Sequence, residues 1–268
     1  MSNAQRVVLI SGAGRGIGAA TAREFGRRGC HVIVNYLSNS EAAAGVVEDI
    51  ESTGGTAQAV PADVCDAGQV DALVDGVLAE HGRIDVLVCN ANTAAPPYVP
   101  FASLPWDAFA AKLTGELSGV YFLTQRVLAA MQQQRTGRII FVSSTAADVI
   151  TGSIAHSTAT AALNVFSQQV SAEAARYGVA VNTVASGAAN TDATSFFPEV
   201  IRQYFGERSV HGRLPEAADL GRLIALVGDE GFAVATGQVI RADDGFNLLT
   251  QQLDGPAARF GGSADQGE

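Results

Sequence analysis

Charge is what this chain has least of. Only 16% of its 268 residues are charged, well under the roughly 25% of an average soluble domain. The 47% apolar share excludes a chain too polar to bury a core. Basic residues are scarcer still, 17 Lys and Arg against 27 Asp and Glu, for a net charge of −10. That sign opposes a phosphate backbone, so no nucleic-acid partner is expected. Long apolar runs are missing too, and none approaches the about 18 residues that a membrane span requires. The opening Met1–Arg6 runs straight into a strand-like stretch and does not read as a secretory signal. Cysteine is limited to Cys30, Cys65 and Cys89, odd in number and scattered. That pattern reads as reduced thiols of a cytoplasmic protein, not as a disulfide frame. The four histidines, His31, His81, His156 and His211, include no two at ligand spacing, so no metal site is expected.

What the chain has is alternation. Short apolar, β-branched runs at Val7–Ser11, His31–Tyr36, Thr56–Val60, Ile84–Cys89, Arg138–Ser143, Val179–Ala185 and Gln238–Arg241 predict strands. Helical periodicity fills the gaps at Gly16–Arg28, Ser40–Ser52, Asp66–Glu80, Trp106–Gln134, Ala155–Tyr177 and Pro215–Val227, with a break expected near Gly115. Glycines follow several of these helices, and Asp66 is an N-cap candidate. Seven β-runs interleaved with helices predict an α/β fold: one doubly wound, seven-stranded parallel sheet of Rossmann type, covered on both faces. No composition break divides it, so residues 1–250 are read as a single domain and residues 251–268 as a loose tail. Phe101, Trp106, Phe109, Tyr121 and Phe122 are spaced like packing residues, and Asp148 and Asp192 read as turn or cap residues.

The first strand runs into Gly12-Ala13-Gly14-Arg15-Gly16-Ile17-Gly18, a G-x-x-x-G-x-G loop that opens a helix. Glycines let the backbone turn tightly and approach a pyrophosphate, whose charge meets the free N–H groups of the helix N-terminus. A plain tight turn is the competing reading, and the strand–loop–helix context favours the nucleotide. An acid at the end of the second strand would hold ribose hydroxyls and repel a 2′-phosphate, but that end reads Asn35-Tyr36-Leu37-Ser38-Asn39. Arg15 is able to pair with such a phosphate, so NADP(H) is favoured over NAD(H), with a merely solvated Arg15 as the alternative.

These residues resemble the short-chain dehydrogenase/reductase family, above all its acyl-carrier-protein ketoreductase-like members, over about residues 6–250. Ser11–Gly18 is similar to the cofactor loop, and Asp63-Val64 to the pair that contacts adenine. Cys89-Asn90-Ala91-Asn92 lies where the family has N-N-A-G. Arg138–Ser144 resembles the strand ending in the catalytic serine, and Asn182–Gly187 with Thr191 resembles the segment that meets the nicotinamide amide. Together these readings give the cofactor Gly12, Arg15, Gly16, Ile17, Gly18, Tyr36, Asp63, Val64, Asn90, Thr160, Ala189 and Thr191.

The resemblance fails where the chemistry should be. Its Y-x-x-x-K pair aligns with His156 and Thr160, Ser144 keeps the serine, and Glu116 falls at the family's asparagine. Histidine titrates near 6.5 and needs no neighbouring ammonium to work at pH 7, whereas tyrosine near 10 does. Thr160 removes that ammonium, and Glu116, if close, would favour the charged imidazole. The implied function is NADPH-dependent reduction of a ketone on a hydrophobic, polyketide-like or acyl substrate, with His156 as proton donor and Ser144 binding the oxyanion. Two alternatives stay open. One is a non-redox enzyme using His156 and Glu116 for dehydration, cyclisation or isomerisation. The other is a catalytically silent partner subunit that binds no cofactor. The family's long fourth and fifth helices imply a homodimer or homotetramer, and the aromatic segment Asn190–Gly206 reads as an apolar lid.

Overall fold

In the computed structural model, residues 5–149, 153–232 and 234–254 are described. Seven strands form one sheet: β1 (Val7–Ile10), β2 (His31–Tyr36), β3 (Thr56–Pro61), β4 (Val86–Cys89), β5 (Gly137–Ser144), β6 (Val179–Ser186) and β7 (Val239–Ala242). All pairings are parallel, in the order β3-β2-β1-β4-β5-β6-β7. The chain starts in the middle, steps outward to β3, then returns to the other side of β1. The reversal between β1 and β4 opens a crevice at their carboxyl ends, where doubly wound sheets bind ligands.

Successive side chains of a strand point to opposite faces, and here each face has its own core. Leu9, Ile33, Leu87, Ile139 and Phe141 pack with α3 (Ala67–His81), α4 (Trp106–Gln134) and α5 (Ile154–Ala174), through Leu73, Leu123, Met131 and Leu163. Val8, Ile10, Val32, Val34, Val88 and Ile140 pack with α1 (Gly16–Arg27), α2 (Ser40–Ser52) and α7 (Ala217–Val227), through Phe25, Val46 and Ile224. Burial on both faces explains why the strands read as apolar runs rather than as alternating polar ones.

Several helix ends follow the expected local chemistry. Asn39 and Asp66 accept the N–H groups of Ala42 and Gln69 at 2.9 and 3.0 Å, capping α2 and α3. Three expectations need correction. α4 runs unbroken for 29 residues. Gly115 marks a close approach instead of a break, since a Cβ there would lie 2.7 Å from Thr93 Oγ1. Phe101, Trp106 and Tyr121 are exposed rather than packed, because they fall on the outer side of the chain entering and forming α4. The supposed tail begins as helix: α8 (Phe246–Asp254) includes residues 251–254, while 255–268 lie outside the described residues. A further helix, α6 (Glu199–Glu207), lies within the segment read as a lid. Among the described residues no helix is long and apolar enough to cross a membrane, and no group of three or more His, Cys, Asp or Glu is placed to hold a metal ion.

Candidate active site

The crevice is built first from the loop after β1. Gly12 and Gly16 have φ of +63° and +55°, in the left-handed region that favours glycine. A Cβ on Gly12 would come within 2.9 Å of Ala91 Cα, and one on Gly18 would collide with the Gly12 carbonyl and the Asn90 amide. Gly14, by contrast, would meet only ordinary contacts. Backbone therefore lines the loop, as a pyrophosphate cradle demands. Ile17, half-buried, packs against the core beneath α1. The first turn of α1 holds no acid, leaving its N–H groups to an anion. Arg15, the N-cap, is exposed, and its side chain makes no hydrogen bond or ion pair among the described residues.

Asn90 ties this loop to the one after β4. Its amide donates to the carbonyls of Ser11 (3.1 Å) and Gly12 (3.2 Å), while Ser11 Oγ accepts the N–H groups of Asn90 (2.9 Å) and Ala91 (3.1 Å). Asn90 thus shapes the cradle from behind. Tyr36 ends β2 half-buried, its carbonyl accepting Ala62 N–H at 3.0 Å. Asp63 Oδ1 accepts Cys65 N–H at 2.9 Å, and Val64 is buried against Gly119. On the far wall, Thr191 and Thr194 cap each other reciprocally, and the Thr194 hydroxyl donates to the carbonyl of buried Ala189.

The chemical side of the crevice lies between β5, α4 and α5. Ser144 ends β5 half-buried. Its Oγ accepts Ala146 N–H at 3.1 Å, leaving its own proton free of any protein acceptor among the described residues. His156 sits in the first turn of α5. Its Nδ1 is shielded from solvent and has no hydrogen-bond partner among the described residues. Thr160 is 0% exposed, and its hydroxyl turns back to the carbonyls of His156 (2.9 Å) and Ser157 (3.2 Å). A hydroxyl inside a helix satisfies itself on the preceding turn in this way.

Glu116 is buried on α4, but a residue absent from the sequence reading accompanies it. Lys112 donates to Glu116 Oε2 at 2.6 Å. Burial, then the Lys112 ammonium, push the His156 pKa below its ordinary 6.5, against a weaker upward pull from Glu116. Glu116 does pull towards the charged imidazole, as expected, but burial and Lys112 outweigh it. Removing a lysine at position 160 does not free His156 of a cation, because one arrives from α4.

The whole arrangement has relatives. A sequence model described as short chain dehydrogenase matches residues 6–200. A 3-oxoacyl-(acyl-carrier-protein) reductase of Synechocystis sp. is 37% identical over 247 residues, covering 91% of this chain and 98% of that protein. A cis-4-hydroxycyclohexanecarboxylate dehydrogenase of Sinomonas cyclohexanicum is 32% identical over 247 residues, covering 92% and 98%. Among solved structures, a dehydrogenase/reductase from Sinorhizobium meliloti 1021 superposes with a TM-score of 0.81 at 26% identity, over 92% of this chain and 96% of that one. This chain is a short-chain dehydrogenase.

With the family comes the enzyme class, an NAD(P)-dependent oxidoreductase. The dehydrogenase's own residues fit the dinucleotide unevenly. The glycine cradle, the free α1 N-terminus and unpaired Arg15 suit its phosphates, while the side where a nicotinamide ribose would lie has no lysine at 160. Beyond Thr191, aromatic side chains pack the segment Asn190–Gly206. Phe197 and Phe205 stack in parallel (6.0 Å, 7°), and Phe205 meets Phe246 of α8 at 4.7 Å. Arg202 fastens α6 to the preceding turn, donating to Asn190 Oδ1 (3.0 Å) and the Thr194 carbonyl (3.2 Å).

Proposed function

We propose that this dehydrogenase reduces a ketone on a hydrophobic or acyl-type substrate with NADPH, using His156 as the proton donor. The observation that carries the reading is the half-buried imidazole of His156, whose Nδ1 has no partner among the described residues. A polar atom shielded in this way is costly unless a ligand meets it. Ser144, with its hydroxyl proton uncommitted, holds the carbonyl oxygen as negative charge develops there. The nicotinamide, when bound, supplies the hydride. Exposed, unpaired Arg15 and the lack of an acid at the end of β2 support the 2′-phosphate form. A relative named as an oxoacyl reductase and the aromatic lid support an acyl or hydrophobic substrate. Exposed Tyr121 on α4 and Val165 on α5 support a homodimer or homotetramer, and the buried free thiols of Cys30 and Cys89 support a cytoplasmic location.

The test is a turnover assay in which NADPH is consumed against 3-oxoacyl thioesters and cyclic ketones. His156→Phe should lower kcat by about 10²–10⁴-fold while leaving NADPH binding unchanged. Reduction needs the imidazolium, whose pKa lies below 6.5. Turnover should therefore fall as pH rises through that value, and alcohol oxidation, which needs the neutral ring, should rise. Full turnover in His156→Phe, or no NADPH binding at all, overturns the reading. A second reading, acid–base chemistry without hydride transfer, draws on the wholly buried Thr160. It predicts a substrate turned over with no change in nicotinamide absorbance.

A further inference from the structure

Inside α4 lies a charge pair that the chemistry above does not use. Lys112 is 1% exposed and Glu116 is 9% exposed, one helical turn apart. Burying an ammonium is costly unless every proton is satisfied, and here all three are. Nζ donates to Glu116 Oε2 at 2.6 Å, to Asn92 Oδ1 at 2.9 Å and to the Ala94 carbonyl at 3.0 Å. Two of those acceptors belong to the loop after β4, the same loop whose first residue, Asn90, braces the glycine cradle. One side chain therefore joins α4 to a wall of the crevice. With all its protons committed, Lys112 has none left for a ligand.

Its reach is electrostatic. Lys112 and Glu116 are the charged groups that act on His156. The surrounding elements add little else. α5 carries no charged side chain before Glu173. Residues 91–100 contribute none beyond the phenol of Tyr98. In the turn after β5, Asp148 is exposed and engaged with Arg241 at 2.7 Å.

We propose that Lys112 and Glu116 are a positioning pair that sets the charge state of His156 and holds the loop after β4 against α4. The proposal rests on the reading of His156 as the proton-transfer group. The two charges oppose each other at the imidazole, and removing either leaves the other unbalanced. Lys112→Met exposes His156 to the carboxylate alone and makes imidazolium easier to form. Glu116→Gln leaves the ammonium alone and makes it harder. Lys112→Met with Glu116→Gln removes both and restores near balance.

The experiment is an NMR titration of the imidazole signals, tractable because the chain has four histidines, with the His156 signal identified by its loss in His156→Gln. The His156 midpoint should rise by about one pH unit in Lys112→Met, fall in Glu116→Gln, and return towards the parent value in the double variant. The pH profile of turnover should move with it. Equal midpoints in all variants, or a shift of the same sign in both single variants, overturns the proposal. Should Lys112→Met fail to fold, Glu116→Gln decides alone, since a midpoint that does not fall sinks the pair's role. Midpoints that move as stated without the turnover profile following support the pair and overturn the catalytic role of His156 instead.

Discussion

Arg15 shows how much one side chain decides. Its backbone is extended (φ −156°), its place is the N-cap of α1, and no protein group claims its guanidinium among the described residues. An exposed charge held at a cradle adds about 1 kcal/mol to phosphate binding. Arg15→Ala should therefore weaken NADPH binding roughly 5-fold, with little change for NADH, measured by nicotinamide fluorescence. The cradle was legible because its signal is local: glycine spacing encodes positive φ at Gly12 and Gly16 and close approach at Gly12 and Gly18. Lys112 was not. Its i,i+4 spacing to Glu116 resembles any surface pair on a long helix, and its other partners, Asn92 and Ala94, lie 20 and 18 residues away. The direction of the His156 shift was hidden for the same reason, since burial is its leading cause and burial is a property of the packed molecule.

Elements meet at the crevice through few contacts, and those contacts are exacting. The Ser11 hydroxyl accepts two backbone N–H groups from the loop after β4. Ser11→Ala leaves both without that acceptor, so it should destabilise the fold by about 2 kcal/mol, read as a lower midpoint of chemical denaturation, and loosen NADPH binding as well. Helix boundaries were legible from the cap candidate Asp66 and from terminal glycines such as Gly29 and Gly54, both glycines at positive φ. α6 was not, because its aromatic side chains stack on one another and on Phe246 of α8, a partner far along the chain. The aromatics at the start of α4 misled for the opposite reason. Their spacing suits a core, but the face they occupy is turned outward.

At the scale of the molecule, seven strand positions and their parallel sense followed from alternation alone, with boundaries off by one or two residues. What alternation does not reveal is which apolar side chains stay on the outer faces. The α4 and α5 faces bearing Tyr121 and Val165 are exposed in the single chain. Charge placed in the middle of an apolar interface is strongly disfavoured. Val165→Glu should therefore convert an assembled form to monomer in light scattering, with the far-UV spectrum unchanged. An unaltered mass with oligomers retained would exclude that face.

A parallel sheet also gives the enzyme a front and a back. Gly12–Gly18, Asn90 and Ser144 all follow carboxyl ends of strands, whereas Gln5, His31, His81 and Arg83 gather around the opposite ends. The 8 residues of β5, at roughly 3.3 Å each, hold the two rims about 26 Å apart. A resin, antibody or fused carrier fastened at the back rim would leave the catalytic mouth unobstructed, so this dehydrogenase is suited to immobilisation by that side.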